Sequence, residues 1–457
     1  MRQVFRGTVF HLHDDPDLGA DTARVHEDGA LLVEDGHVVE VGAWADIQPQ
    51  VKGAPVERFP GGLIVPGFID CHVHFPQVDM LASPGKNLLH WLSAYAFPAE
   101  SRFHHADVAA ETARFFLDQL LAHGTTTALV FATAHKVAAE ALFAESYRRN
   151  MRLLTGKVLM DVNAPAGISD TAETGYMESR ALIREWHGKG RLGYAVTPRF
   201  ALTSSERQLE MAGRLIADHP GVKLHTHLSE NVDEIDAVRR MFPDCPDYFG
   251  VYEKFGLATP HSVFAHCLHL SDAEWSRMAQ AGSNVAFCPT SNLFLGSGLF
   301  PLGAAEAAGV RVGLGTDVGA GTSLSLLATM NEAYKVCQLQ QRRLSAFKLF
   351  YLATLGAART LRLDEKIGNF TPGKEADFLV LDASKLPLAQ RRFDHADTFA
   401  EKLFALAMLG DDRAVARTYV AGKCVHDRDK HILSSPAGAS KRVAHRSEGE
   451  GDPGLDN

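Results

Sequence analysis

Short apolar runs alternate with longer amphipathic segments along most of the chain. Eight of these runs predict β-strands, over residues 63–75, 125–131, 153–160, 192–200, 222–228, 262–267, 284–288 and 310–316. Between them, segments such as 106–123 and 206–219 repeat their apolar positions at helical spacing. Strands that alternate with helices indicate parallel βαβ units. Eight such units predict an α/β fold of the (β/α)8 TIM-barrel type, with its chemistry at the carboxyl ends of the strands.

Both ends of the chain have a different pattern. Short strands are predicted over 4–11, 30–33 and 37–41, the last two joined by Glu34-Asp35-Gly36, and Asp-Gly between apolar runs is a hairpin signal. After a helical stretch at 345–361, strands return at 377–381 and 417–420, with a turn at Ala421-Gly422. We therefore expect a small β-sandwich domain from residues 1–62 and 375–433 and a barrel over 63–374. The polar stretch 434–457 is predicted to be a disordered tail.

Composition narrows the class of protein. Apolar residues make up 46% and charged residues 22% of the chain, and the formal net charge is −9, so neither nucleic acid nor an anionic membrane is an expected partner. No apolar run is long enough for a transmembrane helix, and the start lacks a signal-peptide core. The six cysteines are scattered, which indicates reduced thiols. These features predict a cytoplasmic protein.

Histidines mark the ends of the predicted barrel strands. His72 and His74 lie two residues apart on the first strand, so both can reach one cation, although an HxH pair alone is a weak signal. His227, His266 and Asp317 end the fifth, sixth and eighth strands. In a parallel barrel these ends meet at one mouth. A set of histidines with one carboxylate and room for water is the donor set of a catalytic metal.

This arrangement resembles the amidohydrolase superfamily over residues 1–430. Three segments are similar to its guanine deaminase branch: Phe75-Pro76-Gln77, Pro198-Arg199-Phe200 and His227-Leu228-Ser229-Glu230. Residues 87–92 and Phe97-Pro98-Ala99-Glu100 also fit that branch. The resemblance implies hydrolytic deamination of guanine to xanthine and ammonia, in a homodimer.

The resemblance also implies the metal centre. It makes His72, His74, His227 and Asp317 ligands of one divalent ion, zinc or alternatively iron, with His266 as a ligand or as a donor to water or substrate. The fourth strand has Arg199 and no lysine where two-metal members carry a bridging carboxylated lysine, so one metal is expected. Asp317 and Glu230 would move protons from the water to the ring and the leaving amine.

For the substrate, the resemblance and side-chain chemistry point to four residues. The guanidinium of Arg199 and the amide of Gln77 suit a purine edge, Phe200 lies beside Arg199, and Trp91 could wall the base. Each has a plainer interpretation: Arg199 as an ion pair at the barrel rim, and Trp91 as ordinary core. His90, His225 and His269 are expected to be structural or surface histidines.

Other functions remain open at this stage. Another one-metal amidohydrolase, such as a triazine or adenosine-type deaminase or a chlorohydrolase, would share the ligands and differ at Arg199 and Gln77. A non-catalytic barrel is a second alternative, although such relatives typically lose ligands that this chain retains. The other zinc deaminase fold is excluded because its PCxxC signature is absent from the sequence.

Overall fold

The structure is a computed structural model, and it describes residues 1–431. The prediction of a disordered tail at 434–457 concerns residues outside this range. No helix within residues 1–431 has both the length and the apolar composition needed to span a membrane.

Eight parallel strand units form a barrel whose spatial order follows the chain. The strands are Phe68–His74, Thr125–Phe131, Arg152–Gly156, Leu192–Pro198, Lys223–Leu228, Ser262–His266, Asn284–Phe287 and Arg311–Leu314, with the short Val158–Leu159 pairing the end of the fourth. Every pairing between them is parallel. The prediction of a (β/α)8 barrel is therefore confirmed.

The first and last strands are tied together at their carboxyl ends. The backbone N–H of Asp317 donates to the carbonyl oxygen of His72 at 2.8 Å, and that of His74 donates to Val318 at 2.7 Å. The hydroxyl of Thr316 donates to the buried carboxylate of Asp70 at 2.5 Å. These bonds close the barrel where three predicted ligands lie.

Helices pack around the barrel strands and against the strands formed by the two ends of the chain. The α-helices are Trp44–Ile47, Leu88–Trp91, Phe97–Ser101, Ala106–Ala122, Lys136–Arg148, Ala172–Trp186, Glu206–Asp218, Val232–Met241, Tyr248–Lys254, Asp272–Gln280, Pro289–Phe294, Leu302–Ala307, Leu326–Leu339, Ala346–Ala353, Leu355–Thr360, Pro387–Asp394, Phe399–Leu409 and Arg428–His431. Glu206–Asp218 shows why they form: Ser205 caps its start, and Leu209, Ala212 and Leu215 repeat at helical spacing on the buried face.

The terminal segments form one mixed sheet of seven strands. In spatial order these are Lys423–Asp427, Val415–Val420, Phe378–Leu381, Val56–Pro66, Arg2–Leu12, Ala23–Glu34 and His37–Ala43. The predicted hairpin is present, with both Asp35 and Gly36 at positive φ, as a primed turn requires. The chain thus builds the small β domain from its two ends, as expected, while the residue boundaries between the domains remain a prediction.

Buried ion pairs join the sheet to the barrel. Glu375 accepts from Arg152 and from Arg191, each at 3.0 Å from Nε, and Arg191 also pairs with Asp377. The two arginines lie at the amino-terminal ends of barrel strands, whereas the two acids precede the sheet strand Phe378–Leu381. The contact therefore lies at the end of the barrel opposite the histidines.

Three predicted elements are each divided into two in the structure. The stretch 63–75 is two strands: Val56–Pro66 lies in the terminal sheet and Phe68–His74 in the barrel. Gly67 lies between them, where the chain passes so close to Thr126 that a Cβ would lie 2.1 Å from its hydroxyl oxygen. The stretch 153–160 is interrupted at Lys157, whose buried amine bonds Asp170 at 2.6 Å. The helix over 345–361 is two helices, because Thr354 leaves the helical region.

Candidate active site

Imidazole nitrogens converge at the carboxyl ends of the barrel strands. Nε2 of His74 lies 3.2 Å from Nε2 of His72 and 3.3 Å from Nε2 of His227. Oδ1 of Asp317 lies 3.1 Å from Nε2 of His72 and 3.3 Å from Nε2 of His74. All four side chains are buried. The structure thus brings together residues that are up to 245 positions apart in sequence.

His266 completes this cluster from the sixth strand. Its Nε2 lies 3.4 Å from Oε2 of Glu230 and 3.8 Å from Oδ2 of Asp317, and its Nδ1 lies 2.8 Å from Oδ1 of Asn292. One ligand atom from each of His72, His227, His266 and Asp317 can be chosen so that all lie within 4.8 Å of one another. We call His72, His74, His227, His266 and Asp317 the histidine cluster.

The backbone bends sharply where these side chains enter the site. Ser229, His266 and Asp317 have φ of 50°, 72° and 50°, a region that residues with a Cβ seldom occupy. Such conformations concentrate at functional sites, where the surrounding structure holds them. Here they turn the chain directly after the fifth, sixth and eighth strands.

Hydrogen bonds fix the protonation of the ligand candidates. Nδ1 of His227 lies 2.6 Å from the carbonyl oxygen of Arg199, which can only accept, so Nδ1 carries the proton. Burial lowers the pKa of His227 well below its usual value and that of His74 to about 3. Burial also lowers the pKa of His72. Neutral imidazoles are the form that binds metals, and Nε2 of His227 presents its lone pair to the cluster.

The spacing of the cluster fits a divalent cation. Zinc binds nitrogen and oxygen ligands at about 2.0–2.1 Å, so neighbouring ligands of a tetrahedral site lie roughly 3.3 Å apart. Four distances of 3.1–3.3 Å match that separation: His74 to His72, His74 to His227, and Asp317 to both His72 and His74. Three lone pairs and a carboxylate would otherwise face one another without a positive charge, so the donor set fits a metal ion.

Glu230 lies beside the cluster without belonging to it. Its side chain is buried, its Oε1 accepts from the hydroxyl of Ser297 at 3.3 Å, and its backbone N–H donates to Glu234 at 3.0 Å. Burial and the nearby Asp317 raise the pKa of Glu230 to about 8. A carboxyl with a pKa near neutrality can both give and take a proton.

The predicted substrate residues line a cavity above the cluster. The lining of this cavity includes Gln77, Trp91, Arg199 and Phe200 together with His74, His227, Glu230, His266 and Asp317. Trp91 is buried and donates from its indole nitrogen to the carbonyl of Ser83 at 3.0 Å. The structure therefore places all of the predicted site residues around one space, with His72 beneath it.

Glu100 is a residue of this site that the sequence analysis missed. Its buried carboxylate accepts from Nη1 of Arg199 at 2.8 and 2.9 Å and from Nε2 of Gln77 at 2.8 Å. Arg199 is thus both the ion pair that the plainer interpretation predicts and a wall of the cavity. The segment Phe97-Pro98-Ala99-Glu100 contributed to the family resemblance, but nothing in the local sequence pattern marked Glu100 as a site residue.

Other neighbours of the cluster were also missed. Nε2 of His225 lies 2.6 Å from Nδ1 of His72, and the ring of Phe131 packs 4.6 Å from that of His74. His225 was expected to be a structural or surface histidine, and it is buried; its HxH spacing with His227 was the signal for its place beside the cluster. His90 and His269 lie at the surface. Cys71 faces the carbonyl of Ala357 at 3.9 Å, away from the cluster.

Comparison with known proteins identifies a family and several similar proteins. The model of the Amidohydrolase family matches residues 63–425. A guanine deaminase of Escherichia coli strain K12 is 50% identical over 417 residues, covering 91% of this chain and 95% of that protein. The solved structure of E. coli guanine deaminase superposes with a TM-score of 0.92 at 49% identity, covering 93% of this chain and all of the other. A guanine deaminase from C. acetobutylicum, solved with guanine bound in its active site, gives a TM-score of 0.86 at 29% identity over 93% of this chain and all of that one.

The resemblance inferred from the sequence is confirmed by these matches, which extend over the barrel and most of the terminal sheet. With its histidine cluster at the carboxyl ends of a (β/α)8 barrel and a family match over residues 63–425, this chain belongs to the amidohydrolase family.

Proposed function

We propose that this chain hydrolyses guanine to xanthine and ammonia, with water attacking carbon C2 of the purine. One observation carries the proposal: Glu230, Arg199 and Gln77 face the same cavity as four members of the histidine cluster, His74, His227, His266 and Asp317. A metal-binding donor set, a group that can transfer protons and groups that can bind a purine edge are thereby available to one small ligand. The guanine deaminase relatives support the choice of substrate, and one of their structures holds guanine in its active site.

The metal would be held by the histidine cluster. We assign His72, His74, His227 and Asp317 as ligands, with His266 as a further ligand or as a donor to the water or substrate. Zinc suits this nitrogen-rich set, and iron is the alternative. The fourth strand, Leu192–Pro198, has no lysine to bridge a second ion, which supports one metal per chain. A cation bound there would lower the pKa of a water molecule and make hydroxide available near neutral pH.

The carboxyl groups of the chain carry the protons. Asp317 would take the first proton from the attacking water. Glu230 would deliver a proton to ring nitrogen N3 as the C2–oxygen bond forms. It would then take the proton of the hydroxyl group on the tetrahedral carbon and deliver it to the amine as that carbon collapses and the C2–nitrogen bond breaks. The proton held by Asp317 would finally pass to Glu230, which restores both carboxyl groups to their starting state. Water and guanine thus become xanthine and ammonia without any redox partner.

Substrate recognition falls to the other side of the cavity. Arg199 and Gln77 offer N–H groups to the acceptor atoms of the purine, while Phe200 and Trp91 present apolar surface to its faces. A guanidinium and an amide are costly to bury without acceptors, so a polar ligand edge would complete their hydrogen bonds.

Ammonia release from guanine, adenine, cytosine and ammeline tests the proposal. The metal-loaded protein should turn over guanine with the highest kcat/KM. A higher value for ammeline or adenine would favour a triazine or adenosine-type deaminase instead, because those enzymes would share the ligands. No release from any of the four would favour a chlorohydrolase or a non-catalytic barrel.

Three broader expectations also remain proposals. We propose a homodimer, which rests on the family resemblance and is tested by light scattering during gel filtration. We propose a cytoplasmic location, which rests on the six cysteines, all of which are free in the structure. We also propose domain boundaries at 62/63 and 374/375. The strand Val56–Pro66 crosses the first of these boundaries. Limited proteolysis tests where the chain divides.

A further inference from the structure

We propose that Glu100 is a positioning residue that fixes the charge and orientation of Arg199 and Gln77 for binding the substrate. This inference rests on the proposed function, because it assigns those two side chains to the ligand. Glu100 lies on Phe97–Ser101, a short helix in the connection after the first barrel strand. Glu100 acts on the affinity for the substrate and takes part in no step of the reaction.

Both oxygens of the Glu100 carboxylate accept hydrogen bonds from these two partners. Its Oε1 accepts from Nε2 of Gln77 at 2.8 Å and from Nη1 of Arg199 at 2.9 Å, and its Oε2 accepts from the same Nη1 at 2.8 Å. Its relative exposure is 0%. A fully buried carboxylate in this geometry stabilises one arrangement of its donors and disfavours others.

The N–H groups of Arg199 and Gln77 that do not bond Glu100 are available to a ligand. Within residues 1–431, Nε and Nη2 of Arg199 have no hydrogen-bond acceptor. Oε1 of Gln77 accepts from the backbone N–H of Gly319 at 3.1 Å, so the amide cannot flip and its second Nε2 hydrogen remains unused. Arg199 and Gln77 thus offer only donors to the cavity, which suits the carbonyl oxygen and ring nitrogens of guanine.

Glu100 also balances a charge next to the metal site. A guanidinium with no anion beside it would be buried in the same cavity as a divalent cation, and like charges at close range repel. The ring of Phe97, from the same helix, lies 5.3 Å from the guanidinium carbon. One short helix therefore supplies both the anion and an aromatic face to Arg199.

Glutamine at position 100 cannot replace the carboxylate. Both carboxylate oxygens of Glu100 receive N–H donors, so either orientation of a glutamine amide would place its NH2 group against another donor. Glu100→Gln preserves shape while it removes the charge and one acceptor. Glu100→Asp keeps the negative charge and shortens the side chain by one methylene group.

The test is steady-state kinetics of metal-loaded protein with guanine, together with metal content and melting temperature. We expect Glu100→Gln to raise KM about 10- to 100-fold, as for loss of a hydrogen bond to a charged group, with kcat within about threefold of the parent value. The KM of Glu100→Asp should lie between the values for the parent and for Glu100→Gln. Glu274→Gln is the matched control, because Glu274 is a buried glutamate that caps a helix away from the cavity, and its KM should not change.

Two results would overturn the inference: a KM for Glu100→Gln within about twofold of the parent, or a fall in kcat with KM unchanged. A purely structural role would lower the melting temperature and the active fraction without changing KM. If Glu100→Gln fails to fold, Glu100→Asp decides, since its KM must still rise several-fold. Failure of the parent protein to deaminate guanine would instead refute the proposed function, so the two failures are distinguishable.

Discussion

The ring of His227 and the backbone of Arg199 are joined by a hydrogen bond of 2.6 Å, from Nδ1 to the carbonyl oxygen. His227 is a candidate ligand on the fifth strand, and Arg199 follows the fourth strand and reaches towards the substrate cavity. One bond thus orients the imidazole that is proposed to bind the metal, and its acceptor belongs to the residue whose side chain is proposed to hold the base. The proposed metal ligand and the proposed substrate-binding residue are therefore structurally linked in this barrel.

Metal content provides the first prediction. Purified parent protein should hold one zinc or iron per chain, because the histidine cluster has the donors for one ion. His227→Ala should lose most of the metal and the activity together, since a ligand cannot be replaced from the surrounding core. Elemental analysis after dialysis against a weak chelator measures this. Two stoichiometric metals in the parent, or full metal in His227→Ala, would contradict the ligand assignment.

Glu230→Gln should separate metal binding from proton transfer. The amide is nearly the same size as the carboxyl, so metal content and fold should persist. It cannot carry a proton at neutral pH, so kcat should fall by roughly 10²- to 10⁴-fold. Metal content and kcat are measured on the same preparation, with Glu274→Gln as a control that keeps both. Near-parental turnover would place the proton carrier elsewhere, and loss of metal would make Glu230 a ligand.

The break between the terminal sheet and the barrel depends on Gly67. In Gly67→Ala the new Cβ would lie 2.1 Å from the Thr126 hydroxyl oxygen, so the first two barrel strands must separate. We expect a loss of roughly 1–3 kcal/mol in the free energy of unfolding, the usual cost of overpacking. Gly42→Ala is the matched control, because no atom lies within 4 Å of its added Cβ. Urea unfolding measures the midpoints of Gly67→Ala and Gly42→Ala. Equal midpoints would contradict a tight contact between Gly67 and Thr126.

Acid should destabilise the terminal sheet through His11. Burial lowers the pKa of His11 to about 3, so the folded form stays neutral while the unfolded chain gains a proton below about 6.5. The stability that depends on neutral His11 is present above about pH 6.5 and is lost progressively as the pH falls towards 3. The slope is at most about 1.4 kcal/mol per pH unit for this one proton.

His11→Gln removes this titration. Its free energy of unfolding should fall less between about pH 7.5 and pH 5 than that of the parent. The exposed His395, changed to glutamine, is the control and should behave like the parent. Equal acid sensitivity in His11→Gln and the parent would show that other groups dominate.

Much of this site could be predicted from sequence because its candidate ligands lie at the ends of apolar strands. His227, His266 and Asp317 each follow a recognisable buried run, so the barrel geometry alone brings them together. Glu100 could not be predicted in this way, because its partners Gln77 and Arg199 come from different connections and its own helix is short. The division of residues 63–75 at Gly67 likewise depends on Thr126, a contact between neighbouring strands that local pattern does not reveal.

The most direct measurement of the central claim is the purine product formed from guanine in ¹⁸O-labelled water. With metal-loaded protein, mass spectrometry should detect xanthine that carries one ¹⁸O atom, formed in equal amount with ammonia, and protein stripped of metal should form none. Such a result is required if water attacks C2 and the amine leaves. Unconsumed guanine, xanthine without the label, or full activity in the stripped protein would contradict the account.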